Sequence, residues 1–517
     1  MAILDAQPVA LPFTNPETTA AIEVLIEETD RLAGYILRRP STLNPVDFVV
    51  LVTVNGTVTP QTSHVWYNGQ LFDSLQSLRD AWLKGDVEKL HVPLPSHPLP
   101  CKAFQKYPQR PPPQVEPDGK RYSIKGQSVH YMNWDFQFGV SPTHGPQLYQ
   151  IKFEKELIVY QLDLSEMTVF YSSSEPIGRF ANFFDSVVLI GNNIQTLVPG
   201  VDCPSHATFA DSRFMSETSD MPVVKENSIC VFEQNTGTPL RRHFVADHSR
   251  SGYYEGAPNT VLVLRMIFTL VNYDYIYDFM FYHNGAIKTK VTKSGIDLPS
   301  YVQGTCMYGF QINRQSTGLL HQHMFICKID INIGGTKKSY STYDIREESV
   351  PNKFPASPEI WYQAKIVKVN YTTEREAAYR YNFNKPKYHV FYNKEKRDRF
   401  GNPRAYWLIP EGIAKSVFKE GEGNEPGASW MRYQLAVTKR KENEQYSSSK
   451  YGTFDGEDRT INFENLGIRD GVEIFYDDPN GPLKIESNRK EVDCVPKRTY
   501  TVEDLAEDPE EFLPRPN

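Results

Sequence analysis

Little in this chain of 517 residues points towards a membrane or nucleic acid. No apolar run reaches the length of a membrane span without charged or polar breaks. Met1 to Asn15 lacks the basic start and apolar block of a signal peptide, so the compartment stays open. Basic residues are in deficit, 56 Lys and Arg against 63 Asp and Glu. The resulting net charge of -7 argues against nucleic acid or an anionic membrane as the main partner. The six cysteines include no CxxC pair, which speaks against a zinc site and against a dense disulfide scaffold. No repeat period is evident.

What the chain has in abundance is strand-forming and turn-forming residues. Aromatics make up 13%, with 30 Tyr and 29 Phe, and there are 37 Pro. That balance predicts a mainly β protein, and the length predicts a large domain beside a small one. Residues 1–93 read as a small α/β domain. Asn15 caps a helix with one apolar face through Ile36, Phe48 to Val54 and Thr57 to Thr62 form a hairpin about Asn55-Gly56, and a second helix spans Asp73 to Lys84. Residues 94–119 are a Pro-rich linker. Residues 120–502 read as a large antiparallel β-sandwich with turns at Asn235-Thr236-Gly237, His283-Asn284-Gly285 and Gly334-Gly335, and residues 503–517 as an acidic tail.

The chain is organised around the apolar run from Val261 to Tyr282, which reads as one or two strands buried on both faces. Asn272 and Asp274 place polar groups in it, and an unbonded polar group there costs roughly 1–3 kcal/mol. Further on, His321-Gln322-His323 opens a strand in which Phe325, Cys327, Ile329, Ile331 and Ile333 share the histidines' parity. Residues two apart on a strand face the same way, so both imidazoles sit at the end of the buried face, placed either to grip one metal or to pack as core residues.

Thr-Leu-Val-Asn-Tyr-Asp-Tyr at 269–275 resembles the cofactor strand of the copper amine oxidases. The likeness runs from about Pro108 to Asn480. It includes Tyr131 to Gly139, which looks like the family's first sandwich strand, Leu164-Ser165-Glu166-Met167 through Tyr171, Phe184-Asp185, and Asn402-Pro403 to Ile409-Pro410, which resembles a late hairpin. It implies copper and topaquinone as cofactors, a small-molecule amine as substrate, and a homodimer. Tyr273 would be the quinone precursor, Asn272 its orienting neighbour, Tyr171 a hydrogen-bond partner of the cofactor, and Asp185 the general base. His321 and His323 would be two of three copper ligands. Cys203 and Cys230 match the family's structural disulfide.

The pattern breaks at the third ligand. The family places a histidine after a strand that here reads Leu466-Gly467-Ile468-Arg469-Asp470, and no histidine follows His389. The ligand position falls on Arg469 or Asp470: an arginine stays protonated and cannot ligate, and an aspartate is a donor less suited to copper than imidazole. Val187-Val188-Leu189 replaces the glycine-glutamate-tyrosine that follows the family's aspartate, and the peripheral metal pair is reduced to Asp330 and Asn332. The sequence-based expectation is therefore an enzyme of this fold that leaves Tyr273 unmodified and uses Asp185, Tyr171 and Tyr273 for non-oxidative acid/base chemistry such as isomerisation or cyclisation. The alternatives are a working primary amine oxidase and a non-catalytic homologue.

Overall fold

The computed structural model describes residues 2–4, 48–53, 61–88, 112–173, 182–215, 220–245, 252–270, 273–295, 299–301, 307–311, 316–352, 360–411, 416, 419–421, 425–440 and 466–470. The run from Val261 resolves into two antiparallel strands, Tyr253–Leu270 and Tyr273–Tyr282, with Leu270 opposite Tyr273. Asn272 lies between them, outside the described residues. Asp274 is satisfied across the pair, where its carboxylate accepts from the Thr269 hydroxyl. These two strands form the middle of a five-stranded antiparallel sheet, flanked by Val223–Val245 and Ile287–Gly295 and edged by Thr208–Phe214.

A nine-stranded antiparallel sheet faces it. Its path runs Leu435–Lys439, Leu466–Asp470, His321–Ile331, Glu156–Tyr171, Gly145–Phe153, Trp134–Ser141, Ser128–Tyr131 and Tyr122–Lys125. The short strand Phe183–Phe184 pairs with Glu156–Tyr171 at Val169 and Thr168. Alternation along Tyr273–Tyr282 sends Tyr273, Tyr275, Tyr277, Phe279 and Phe281 into the space between the sheets. Trp134, Phe136, Phe138 and Leu148 meet them from the other side, and the Phe136 and Phe281 rings stack at 4.0 Å. Full burial of such a side chain contributes roughly 1.5–3 kcal/mol, and this shared core makes the two sheets a sandwich. A further four-stranded sheet spans Ile360–Asn370, Ser339–Pro351, Lys387–Arg397 and Pro403–Leu408.

Several expectations change in detail. Tyr131 to Gly139 is not one strand: Met132 has φ 51°, and the chain turns there so that Tyr131 pairs with Trp134. Asn235-Thr236-Gly237 is a bulge inside the long Val223–Val245 strand, with Gly237 at φ 76° and a register shift beside it. The turns at Gly285 and at Gly334-Gly335 stand where expected, each with positive φ. In the N-terminal unit, Phe48–Thr53 pairs with Gln61–Tyr67, so the partner runs on past the expected Thr62, and 54–60 lie outside the described residues. Its helix, Leu75–Lys84, begins at a Ser74–Ser77 capping box and ends at left-handed Gly85, burying Leu75, Leu78 and Trp82. The helix expected from Asn15, the Asn55-Gly56 turn and residues 503–517 lie outside the described residues. Among the described residues no helix is long and apolar enough to cross a membrane.

Candidate active site

The two strands singled out from sequence face each other across the sandwich, residue for residue. The Tyr273 phenol hydrogen-bonds Nε2 of His321 at 2.9 Å, and the Tyr275 phenol hydrogen-bonds Nδ1 of His323 at 2.9 Å. One step further, the Tyr277 and Phe325 rings meet edge to face at 6.2 Å. Nδ1 of His321 donates to the carbonyl of Leu319 at 2.7 Å, since a carbonyl can only accept. That leaves Nε2 of His321 with a lone pair, which takes the Tyr273 proton. The two imidazole centroids lie 5.0 Å apart. Nε2 of His323 is buried and has no hydrogen-bond partner among the described residues. Burial chiefly, then the neighbouring Lys293 and His321, holds the His323 imidazole neutral, with its pKa brought down to about 2.

Tyr171 and Asp185 complete the group from the neighbouring strands. Register sets Tyr171 beside His321, and their rings stack at 4.8 Å with 19° between planes. Asp185 opens a 3-10 turn, Asp185–Val188, directly after Phe184, and is 6% exposed. One of its oxygens, Oδ2, is buried without a hydrogen-bond partner among the described residues. Burial first, and then the nearby Glu166 carboxylate, raises its pKa well above the ordinary carboxyl range. Asp185 in turn helps to raise the pKa of the Tyr275 phenol, after burial, which places the carboxyl within electrostatic reach of the tyrosine stripe. Tyr171, Tyr273, His321, His323 and Asp185 are thus brought to one region.

The family model "Copper amine oxidase, enzyme domain" matches residues 123–473. The chain belongs to the copper amine oxidase family. It is 45% identical over 437 residues to a Margaritifera margaritifera protein assigned as a copper-containing amine oxidase, covering 82% of this chain and 56% of that protein. To the diamine oxidase of Mus musculus it is 32% identical over 457 residues, covering 84% of this chain and 60% of that one. The crystal structure of a lysyl oxidase from Pichia pastoris superposes with a TM-score of 0.74 at 25% identity, over 84% of this chain and 62% of that one. The chain therefore spans less than two thirds of the length of these relatives.

Within this family frame the donor set decides how copper fits. Two neutral imidazoles, one with an orphaned buried Nε2, suit copper. The third position is different. Leu466–Asp470 does lie beside His321–Ile331, but register sets Asp470 opposite Cys327 and Arg469 opposite Lys328. Cys327 is about 13 Å along the strand from His323 at the usual rise per residue. The register thus sets Asp470 four residues along the strand from His323. Among the described residues no group of three His, Cys, Asp or Glu is placed to hold a metal. His389 belongs to another sheet, where its Nδ1 meets the Tyr340 phenol at 2.7 Å. Cys203 and Cys230 are joined in a disulfide, as the family resemblance implies.

Two participants were not singled out from the sequence. Tyr275 reads there as ordinary core, although its signal was present: it stands two residues after Tyr273, as His323 stands two after His321. Glu166 appeared only as a letter in a motif. It is buried and bonds the turn that carries Asp185.

Proposed function

We propose that this chain is the catalytic part of a copper-dependent amine oxidase acting on a small primary amine. The observation that carries the reading is the bare Nε2 of His323, beside a phenol already bonded to His321. A buried ring nitrogen left without a partner costs roughly 1–3 kcal/mol, and a metal ion accepting its lone pair would remove the cost. His321 and His323 would hold the copper, with Nδ1 of each tied to a backbone carbonyl or a phenol in the way that orients metal-binding imidazoles. Copper bound there supplies the activation of dioxygen and of the Tyr273 phenol that turns this side chain into the family's quinone cofactor.

The remaining steps belong to side chains of the chain itself. Asp185 takes the α-proton of the bound amine through its unpartnered carboxyl oxygen, and a carboxyl titrating above its ordinary range is a stronger base for that task. The stacked ring of Tyr171 holds His321 in plane and offers its phenol to the reacting centre. The dry stripe of Tyr275, Tyr277 and Phe325 keeps water from these groups. A homodimer follows from family membership alone, and the Cys203–Cys230 bridge supports an oxidising compartment.

A second reading keeps the pocket and drops the oxidation. It is favoured by the third donor, since no histidine follows His389 and Asp470 stands opposite Cys327. Asp185 with the phenols of Tyr171 and Tyr273 would then perform non-oxidative proton transfer on a small molecule. Peroxide release from a panel of primary amines after copper loading in air separates the two. Release that requires His323 supports the oxidase; silence across the panel with copper bound supports the second reading.

A further inference from the structure

The turn that carries Asp185 is tied to one buried carboxylate. Phe184 packs with Phe170, Ile326, Trp430 and Met431 on the outer side of the nine-stranded sheet, while Asp185 is coupled to the tyrosines on the inner side. The next residue, Ser186, turns back to Glu166. Its amide donates to Oε1 of Glu166 at 3.1 Å and its hydroxyl to Oε2 at 2.5 Å. The Met167 amide adds a third bond to Oε1 at 2.9 Å. Glu166 is fully buried, and three donors on two oxygens are what an ionised carboxylate takes up.

We propose that Glu166 is the positioning residue for Asp185: it anchors the turn through Ser186, so that Asp185 faces the tyrosine stripe, and it keeps a fixed negative charge beside that carboxyl. The proposal rests on the reading of Asp185 as the acid/base. Among the described residues, Glu166 bears on Asp185 from the adjoining strand, and Tyr275 and Tyr277 are coupled to it from the facing strand Tyr273–Tyr282. The covering turn Glu425–Arg432 buries Ala428, Trp430 and Met431 and closes its own charges in an Arg432–Glu425 pair. The Val187 and Val188 side chains, beyond Ser186, are exposed, and the Val188 carbonyl accepts from the Asn193 side-chain amide at 2.8 Å. The side chain that holds Ser186 itself is Glu166, on the strand that also carries Tyr171.

The test follows the Asp185 carboxyl itself, by infrared difference titration of the full chain, with Asp185→Asn used to assign its band. In Glu166→Gln the neighbouring charge is gone, and the Asp185 midpoint is expected to fall by about one unit or more. Glu166→Asp, which restores the charge, should bring it back towards the parent value. Ser186→Ala is the milder variant. With one donor fewer, the charge on Glu166 is held less firmly, and Asp185 should titrate lower by a smaller step. An Asp185 midpoint unchanged in Ser186→Ala, or in a folded Glu166→Gln, overturns the proposal. Failure of the acid/base reading looks different, because turnover would then survive Asp185→Asn whatever the titration shows.

Discussion

The Tyr275 phenol lies 2.9 Å from Nδ1 of His323, one rung along from the Tyr273–His321 pair. With Nδ1 donating to the phenol oxygen, Nε2 carries the free lone pair, so this contact selects the tautomer that binds a metal. Tyr275→Phe removes the oxygen and keeps the ring. The expected result is a loss of copper affinity of about 10- to 100-fold, the usual effect of deleting an outer partner of a metal-binding histidine. Competition with a chelator of known affinity measures it, and unchanged affinity would show that the phenol does not orient His323.

Asp185→Asn should abolish turnover, because an amide of nearly the same shape cannot take up a proton. Loss of a positioned acid/base group lowers rates by about 100- to 10,000-fold. Steady-state rates on the best substrate, with circular dichroism to show that the fold is retained, are the check. A variant that keeps most of its rate would remove Asp185 from the mechanism.

The same residue has a pH signature in stability. Its folded pKa is raised, by burial and by Glu166, above an unfolded value near that of a free carboxyl. The folded state therefore binds the proton more tightly. Stability is greatest below the unfolded pKa and declines as pH rises towards the folded pKa, above which the full cost of the buried charge is present. Asp185→Asn carries no such cost. Its melting temperature relative to the parent should rise between acidic and neutral pH, and a difference that stays flat across that range contradicts the assignment.

Much of this site was legible in the sequence. Parity along 321–333 placed both imidazoles on one face, and the unbroken apolar character of 261–282 marked the core strands. The other face of the histidine strand proved to be buried as well, with Ile326 under the Glu425–Arg432 turn, which no periodicity within one strand announces. Tyr275 was hidden for the opposite reason, since a tyrosine at a core parity looks like packing until its partner across the sandwich is known. Where Asp470 falls against the histidine strand was not legible, because strand register is a property of pairing. Met132 shows the limit for turns: nothing in its side chain announces a left-handed residue that breaks Tyr131 to Gly139 into a hairpin.

The Cys203–Cys230 disulfide closes a loop with a sequence separation of 27 and ties the segment before the Thr208–Phe214 strand to the five-stranded sheet. Replacing both cysteines by serine frees that loop in the unfolded chain and should cost about 3 kcal/mol on the chain-entropy account. Denaturant unfolding of the double variant measures it. A loss below about 1 kcal/mol would mean that native-state strain or residual unfolded structure offsets the constraint.

The central claim is that the His321–His323 pair and Tyr273 still make the family's cofactor. Metal-free protein is loaded with Cu(II) in air, digested, and read by mass spectrometry of the peptide holding Tyr273, with titration by a hydrazine that colours quinones. The account predicts a mass gain matching topaquinone on that peptide alone, dependent on copper and dioxygen and lost in His323→Ala. Copper bound at one per chain with Tyr273 unchanged in mass and no colour would contradict it.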